Sequence, residues 1–469
     1  MSPVDALRKP RLQLARLHFA LPVGLACCVG AGPAAWAAGV EHPDIGTVAM
    51  GRGGAYAADP DGGLAVQYNP AGLGRQRGLR VTLDASLAWQ SVTFAPTDGG
   101  PAVSNGAGAF FAPAAVVSWG AGPVGPLAGL TFALGATGPA AIGKLSYPAD
   151  GAQRYALISS DTTIAYWSAA VAAAVNRWLA AGVTLQLVKG TARFTQAVWS
   201  GASPGTNPAD DAIAHVDVTS GLIPTAVLGV TARPSERVAV GVSYRPRFTF
   251  DASGTLQTDL PATARAIGAH QVGTATGFSL PMPDVVRVGV LVRPRARWLV
   301  EADFVLERWS TLGALELEPR GIAIASDNLG TSKPLPNIVF QKNFEDAFSV
   351  RVGGEHELLP GRLVVRAGYL HETSAVPLAS TSVDFPNWER DVVSVGASVA
   401  IPRTPVTLDV AYAHHFLPAR TVTSSAITQV VTPCLTPGCT DPAPSVVGDG
   451  TYTASLDVLS ASLRLALWP

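Results

Sequence analysis

The fold of this chain is decided by residues 79–90, which read LRVTLDASLAWQ. Apolar side chains occupy the odd positions of this stretch, and mostly polar side chains occupy the even ones. A period of two is typical of a strand with one apolar and one polar face. The same alternation returns in residues 298–307, 362–369 and 406–413. The sequence therefore predicts long strands, each with two chemically different faces.

Fourteen such segments can be counted along the chain, and the connections between them alternate in length. The segments begin near Leu79, Ala112, Ala128, Tyr155, Arg177, Ala212, Glu236, Pro283, Arg297, Glu345, Arg362, Trp388, Pro405 and Thr451. Short connections fall at residues 122–126, 175–177, 233–236, 293–297, 358–361 and 401–405, and long ones at 95–111, 200–211, 252–282, 313–344, 374–387 and 417–450. Short turns on one side and long loops on the other are the pattern of an outer-membrane barrel.

Backbone hydrogen bonding explains why a closed sheet suits this pattern. In lipid every N–H and C=O group needs an internal partner, and a closed sheet leaves no edge unpaired. We therefore predict an all-β fold, a 14-stranded antiparallel transmembrane β-barrel with its apolar face toward lipid. Tryptophans near the strand ends fit the two membrane interfaces; they are Trp89, Trp119, Trp167, Trp178, Trp298, Trp309 and Trp388. The alternative is a soluble secreted β-sandwich, whose strands would be shorter.

Composition argues against nucleic-acid binding and against membrane-spanning helices. Only 14% of the 469 residues are charged and the formal net charge is −1. Nucleic-acid binding needs a strong basic patch, so no nucleic-acid partner is expected. The chain after the N-terminal region holds no run of about 18 apolar residues, the length that a spanning helix requires.

The N-terminus has the features of an export signal. A basic region precedes an apolar run that ends before Ala35-Trp36-Ala37, a small-x-small cleavage site. Residues 1–37 are therefore expected to be a signal peptide, and residues 78–469 the barrel of an outer-membrane protein. A lipoprotein signal is the alternative, because Cys27 and Cys28 lie in the apolar run.

Residues 38–77 do not alternate and are rich in glycine. A barrel of about fourteen strands encloses a lumen too wide for side chains alone to fill. We therefore expect this segment to form a hatch, a plug folded inside the lumen. A disordered N-terminal tail is the alternative.

No catalytic or metal constellation is evident, so we expect neither an enzyme nor a cofactor. Cys434 and Cys439 lie in one polar stretch and are expected to form a small disulfide loop in an oxidising compartment. A metal site at these cysteines would need further ligands, and none lie nearby in the sequence. The neighbouring His414 and His415 would point to opposite faces of a strand, so they are poorly placed to share one ion.

The segment before the first strand also resembles a known family. Residues 50–59, MGRGGAYAAD, followed by residues 68–73, YNPAGL, look like the hatch signature of the outer-membrane long-chain fatty acid transporters of the FadL/TodX type. Asn69, Pro70 and Ala71 form the most recognisable motif of that family. Weaker matches follow in the same order at residues 243–246, 280–283, 307–309, 340–342 and 346–348. The resemblance implies a 14-stranded barrel with an N-terminal hatch, in agreement with the strand count.

The resemblance also implies a mechanism and candidate site residues. Substrate would meet an apolar groove among the outer loops and enter a lumenal pocket. A shift of the hatch, or an opening in a kinked third strand, would then let it leave sideways into the bilayer. Gly135, Gly138 and Pro139 lie in that strand, where proline cannot donate a ladder hydrogen bond; the other interpretation is that they simply end the strand. Arg193, Lys342 and Phe340 fall where relatives contact the ligand, and ordinary lumen or loop roles are the alternative.

The expected function is passive uptake of hydrophobic compounds, with fatty acids favoured because Arg193 and Lys342 could pair with a carboxylate. Aromatic hydrocarbon uptake is the alternative within the family. A general porin, an adhesin and a lipid-modifying enzyme are less consistent with an apolar hatch. The expected partners are the hydrophobic substrate, outer-membrane lipids and lipopolysaccharide, and the outer-membrane assembly machinery, around a monomeric barrel.

Overall fold

The barrel closes between its first and last strands. The computed structural model describes residues 45–138, 143–199 and 207–468. Within them, fourteen antiparallel barrel strands form one sheet, in which residues 79–96 of the first strand pair with residues 450–467 of the last. The predicted fold class is confirmed. The predicted signal peptide, with Cys27 and Cys28, lies outside the described residues.

Eight of the described strands are continuous and six are interrupted. The strands are β1 (Arg77–Pro96), β2 (Phe110–Val124), β3 (Leu127–Thr137 and Gly143–Ser146), β4 (Ser159–Ala174), β5 (Leu179–Val198), β6 (Ala212–Ser220 and Ile223–Ser235), β7 (Val238–Arg245 and Phe248–Asp259), β8 (Ala275–Met282 and Val285–Val292), β9 (Trp298–Glu307 and Ala314–Pro319), β10 (Ile338–Gln341 and Ala347–Leu359), β11 (Leu363–Glu372), β12 (Arg390–Ala400), β13 (Val406–Val422) and β14 (Gly450–Leu467).

Helices and extra strands are short and lie outside the barrel ladder. The α-helices are α1 (Thr47–Gly51), α2 (Ala65–Tyr68) and α3 (Ala262–Ala266), and the 3-10 helices are Pro70–Arg75, Pro208–Asp210, Trp309–Thr311 and Leu378–Ser380. A loop sheet consists of Ala269–Val272, Ala323–Ser326 and Thr331–Pro334, and Val103–Ser104 pairs with β1. In the described part of the chain, none of the helices has the length and apolar character that crossing a membrane would need.

The lower part of the barrel, which is the part next to the short connections, is apolar outside and polar inside. On β5, Leu185 is 63% exposed on the outer face, whereas the neighbouring Thr184 and Gln186 are buried on the inner face. On β1, Leu83 faces outward and Asp84 faces inward in the same way. Because water, and not lipid, solvates polar groups, this polarity suits a sheet that stands in a bilayer.

Above the interruptions this polarity reverses. On β7, Val242 faces outward below the break at residues 246–247, but Phe250 and Ala252 face inward above it. Pairing with β8 keeps its register across the break, with Arg245 opposite Val285 and Phe248 opposite Met282. The reversal therefore occurs within residues 246–247, which lie outside both strand segments. The same reversal occurs on β8, where Val288 faces outward and Phe278 inward. The interruptions therefore convert the upper lumen into an apolar chamber.

Three predictions from the sequence are corrected by these elements. Residues 252–282 and 313–344 were expected to be loops, yet both contain upper strand segments of the barrel. β4 begins at Ser159 rather than near Tyr155, which lies in a turn. Trp309 and Trp388 were assigned to the membrane interfaces, but both are fully buried.

Candidate functional site

The hatch, here residues 45–76, lies against the inner wall of the barrel on cross-strand glycine pairs. The three pairs are Gly182–Gly229, Gly241–Gly289 and Gly353–Gly368. A Cβ atom at Gly241 would overlap the carbonyl oxygen of Ala57, and one at Gly353 or Gly368 would overlap the backbone of Arg52. Glycine in a strand interior often marks such close approach of another backbone. These wall positions therefore have room for the hatch only because they carry no side chain.

Buried carboxylates on the inner wall hold the Arg-Gly-Gly-Ala-Tyr-Ala part of the hatch. The guanidinium of Arg52, which is buried, pairs with Glu301 of β9 and, at 3.0 Å, with Glu355 of β10. Asp303 accepts hydrogen bonds from the backbone N–H groups of Tyr56 and Ala57, each at 2.8 Å. Buried charges are tolerated when they are paired and hydrogen-bonded, as these are. The hatch is thus anchored to the wall by charge-assisted contacts.

The Asn-Pro-Ala motif forms a second anchor, at the point where the hatch turns toward β1. Asn69 is fully buried, and its amide NH2 donates to the carbonyl oxygens of Ala57 at 2.8 Å and of Val230 at 3.2 Å. Its side-chain oxygen accepts from the N–H of Ala71 and caps the 3-10 helix that begins at Pro70. Proline suits the first position of such a helix because it has no N–H to satisfy. The motif therefore joins two parts of the hatch to β6.

Two adjoining cavities lie above the hatch. The outer cavity, of about 280 Å³, is enclosed mainly by the loops between β9 and β10, β11 and β12, and β13 and β14. The inner pocket, of about 80 Å³, lies in the apolar upper lumen and carries five phenylalanine side chains, Phe194, Phe250, Phe278, Phe340 and Phe385. Ala156, Phe340 and Asp384 line both cavities. The linings of the two cavities are therefore continuous from the loops into the lumen, and a small apolar molecule could follow them.

Lys342 and Phe340 lie at this boundary, as members of one interrupted strand. The ammonium of Lys342 pairs with Asp384 at 2.6 Å and stands 4.6 Å from the centre of the Phe385 ring. Both Lys342 and Phe340 line the outer cavity, and Phe340 also reaches the inner pocket. The cation is already neutralised by Asp384, so the net charge of this pair is zero.

Arg193 is not brought together with Lys342. It lies on the outer face of β5, with 61% of its side chain exposed, and pairs with Asp217 at 2.9 Å. Its neighbours Ala192 and Phe194 face the inner pocket instead. Arg193 lines a separate surface hollow with His215 and Asp217. It contributes no charge to the two cavities.

The glycines proposed for the third strand lie where its pairing changes. A Cβ atom at Gly135 would lie 2.9 Å from the side chain of Val116 on β2. The N–H of Gly138 donates to the carbonyl of Pro113 at 3.1 Å, outside the regular ladder. Pro139 lies outside the described residues.

Beyond this point the described residues of β3 form a ladder on one side only. Its ladder with β2 ends at Thr137, opposite Ala114. In the described part of the chain, the segment Gly143–Ser146 pairs with β4 and not with β2. On its other side the carbonyl of Ser146 accepts a hydrogen bond from Gly106, in the loop between β1 and β2. In the described residues, the ladder between β2 and β3 is therefore interrupted at this height.

Long loops cover the outer cavity. Cys434 and Cys439 are joined by a disulfide bond in the loop between β13 and β14. Leu435 of this loop packs on Ala269 and Ile324 of the loop sheet, and its carbonyl accepts from Thr331 at 2.9 Å. The disulfide loop and the loop sheet thus form one packed cover.

The two histidines that follow each other in β13 point to opposite faces. His414 pairs with Asp457 on the outer face at 2.7 Å, whereas His415 is buried on the inner face. Among the described residues, no group of three or more His, Cys, Asp or Glu side chains is placed to hold a metal ion.

Comparisons with known proteins give a consistent result. The family model described as outer membrane protein transport protein (OMPP1/FadL/TodX) matches residues 28–443. A FadL homologue from Pseudomonas aeruginosa is similar in structure, with a TM-score of 0.72 at 15% identity over 92% of this chain and 100% of that chain. The toluene transporter TbuX of Ralstonia pickettii gives a TM-score of 0.62 at 14% identity, over 90% of this chain and 99% of that one.

The toluene transporter TodX of P. putida is similar to the same degree, with a TM-score of 0.62 at 14% identity over 91% of this chain and 99% of that one. At such low identity these likenesses show the fold alone. No curated protein matches the sequence.

Proposed function

The chain belongs to the outer membrane transport protein family (OMPP1/FadL/TodX), and from this premise we propose that it admits hydrophobic compounds passively across the outer membrane. The observation that carries the proposal is the pair of cavities that share Phe340 and Asp384, with an aromatic inner pocket directly above a plugged lumen. Apolar burial drives a hydrophobic solute from water into such a pocket without an energy source. The signal peptide at residues 1–37 remains part of this proposal as the means of export.

The hatch argues for a specific passage rather than a general aqueous pore. It fills the lumen beneath the inner pocket and is held there by Arg52, Asp303 and Asn69. The hatch stands in the path of a polar solute along the lumen, whereas an apolar one can occupy the aromatic pocket. A general porin is the alternative function, and an open lumen would support it.

The proposed exit is sideways, between β2 and β3. Gly143–Ser146 lacks a ladder partner toward β2 among the described residues, and lateral release would bring an apolar molecule directly into lipid. A photoreactive hydrocarbon bound to the reconstituted protein is expected to label β2 and β3 more strongly than β9 and β10. Equal labelling around the barrel would argue against this exit.

The substrate class is narrowed by the charges around the cavities. Fatty acids were favoured because Arg193 and Lys342 could meet a carboxylate, but Arg193 faces outward and Lys342 is paired with Asp384. We therefore propose neutral hydrophobic compounds, with single-ring aromatic hydrocarbons as the best match to five phenylalanines around a small pocket. Fatty acids remain the second candidate, on the strength of Lys342 alone.

Uptake by cells that lack their own transporter tests the proposal. Cells expressing the chain are expected to accumulate radiolabelled toluene faster than vector controls. The increase over the controls is expected to be larger for toluene than for oleate. Phe340→Ala should slow the uptake of toluene, because it opens the wall shared by both cavities. Phe348→Ala is the matched control, since Phe348 lies on the outer face of the same strand and is 41% exposed. Uptake of oleate alone would select the second candidate.

The outer face supports contact with membrane lipid and lipopolysaccharide. At its upper margin Tyr369 and His371 of β11 both contact Asp391, and the pattern repeats where Tyr412 and His414 contact Asp457. Aromatic and polar side chains together suit the boundary between acyl chains and headgroups. We propose that the barrel acts as a monomer surrounded by these lipids, after insertion by the outer-membrane assembly machinery.

A further inference from the structure

Three side chains that line the outer cavity each carry a buried polar atom that lacks a hydrogen-bond partner. These atoms are the hydroxyl oxygen of Ser382, one carboxylate oxygen of Asp384 and the side-chain oxygen of Gln429. Ser382 is 2% exposed and Gln429 is 4% exposed, so bulk water does not solvate them as it would at a surface. Buried polar groups in proteins are nearly always paired, and each unpaired one calls for an explanation.

These side chains come from two different loops, and all three line the outer cavity. Ser382 and Asp384 belong to the connection between β11 and β12, and Gln429 to the connection between β13 and β14. Around them the cavity is lined by apolar side chains such as Ile338 and Val430. A small polar patch in an apolar cavity is the usual way in which a binding site fixes the orientation of a ligand.

The charges of the patch restrict what it can bind. The ammonium of Lys342 is 2.6 Å from one oxygen of Asp384, and the other oxygen of that carboxylate is the unpartnered one. A ligand carboxylate could only accept hydrogen bonds, and it would place a second negative charge beside Asp384. A hydroxyl group both donates and accepts, so it can donate to Asp384 and accept from Ser382 or Lys342.

We infer that the outer cavity recognises hydrophobic molecules that carry a hydroxyl group, such as alkylphenols, through the unpartnered oxygens of Ser382, Asp384 and Gln429. This inference rests on the proposed uptake of neutral hydrophobic compounds and names the chemical class within it. The apolar part of the ligand lies along Ile338 and Phe340 toward the inner pocket. A site built to bond a hydroxyl discriminates strongly against the analogue that lacks it, because its own polar groups then stay unpaired.

The test compares three ligands of matched shape on the purified full-length protein in mild detergent. They are 4-butylphenol, 4-butyltoluene, in which a methyl group replaces the hydroxyl, and 4-butylbenzoate. Equilibrium dialysis is expected to show the phenol binding about tenfold more tightly than the toluene, a difference of about 1.4 kcal/mol. The benzoate is expected to bind more weakly than the phenol.

Two variants connect the preference to the patch. Ser382→Ala and Asp384→Asn should each reduce the ratio between the affinities for 4-butylphenol and 4-butyltoluene about threefold or more. Ser310→Ala is the control, because Ser310 is exposed and lies outside both cavities. If Asp384→Asn does not fold, Ser382→Ala decides alone.

The outcomes separate this inference from the proposed function. Equal affinities of the natural protein for phenol and toluene overturn the inference and leave uptake of hydrophobic compounds intact. A phenol preference that persists in both variants also overturns it, because recognition would then lie elsewhere. If no ligand binds, the proposed function itself fails. Tightest binding of the benzoate would overturn the inference in favour of an anionic substrate.

Discussion

Replacing Gly353 with alanine should loosen the hatch, and replacing its neighbour Gly354 should not. A Cβ atom at Gly353 would overlap the carbonyl oxygen of Arg52 in the hatch. At Gly354, on the other face of the same strand, it would lie 3.1 Å from the carbonyl oxygen of Leu299. The two substitutions change strand propensity equally, so their difference isolates the contact with the hatch.

The size of the effect follows from the cost of overpacking. Forcing one extra methyl group into a tightly packed contact costs about 1–3 kcal/mol. If this cost falls on the docked hatch alone, the population of undocked hatch rises about five- to 150-fold. An undocked hatch opens the lumen to polar solutes that the natural protein excludes.

Leak from phosphatidylcholine vesicles measures this population. The protein is reconstituted into vesicles loaded with a small labelled sugar, and release is followed with time. Gly353→Ala is expected to leak faster than the natural protein, and Gly354→Ala at nearly the natural rate. If Gly353→Ala leaks no faster than Gly354→Ala, while both barrels resist heat equally, the account of the glycine pairs is refuted.

Further predictions concern the anchors and the loops. Arg52→Ala should destabilise the docked hatch by about 3–5 kcal/mol, because it leaves buried carboxylates unpaired; protease sensitivity of the hatch checks this, and natural resistance would contradict it. Asn69→Ala should cost about 1–3 kcal/mol through lost hydrogen bonds, measured as a lower melting temperature. Burial, with a hydrogen bond to Asp211, raises the pKa of Tyr155 to about 12. The neutral phenol group of Tyr155 therefore stabilises the loop at pH values below about 10, the ordinary pKa of tyrosine, and this contribution is lost between pH 10 and 12. The amount by which Tyr155→Phe lowers the melting temperature should therefore decrease over that pH range. Arg193→Ala should leave the uptake of toluene unchanged, and a loss would place Arg193 on the substrate path.

Much of the barrel could be predicted because its lower strands share one pattern, in which outward apolar residues alternate with inward polar ones. Alternation with a period of two, broken at every short turn, is enough to count strands such as β1 and β13. In the upper strand segments the apolar residues face inward instead. The alternation in the sequence of β7 and β8 nevertheless continues through the break without a visible change. Phe250 has the same parity as Val242, although one faces the lumen and the other lipid. Only the position of the break distinguishes them.

The candidate site was predicted less completely, for two physical reasons. Arg193 was assigned by likeness to a motif, yet Leu185 and Leu187 share its parity on the same uninterrupted strand and face outward. Counting by two along β5 would have placed Arg193 outside. The inward glycines, such as Gly241 and Gly289, do carry a signal, because glycine weakens a strand unless something packs close to it. The unpartnered oxygens of Ser382 and Gln429 arise from loop packing and have no signature in the sequence.

The seam between β1 and β14 has a consequence for the order of events during biogenesis. The hatch precedes every strand in the chain, whereas the seam needs the last strand, with Leu79 opposite Leu467 and Pro96 opposite Gly450. A closed ring would offer the hatch no side entrance as wide as a folded segment. A hatch that enters from the side must therefore do so while the wall is still an open sheet, so closure by the last strand follows placement of the first segment.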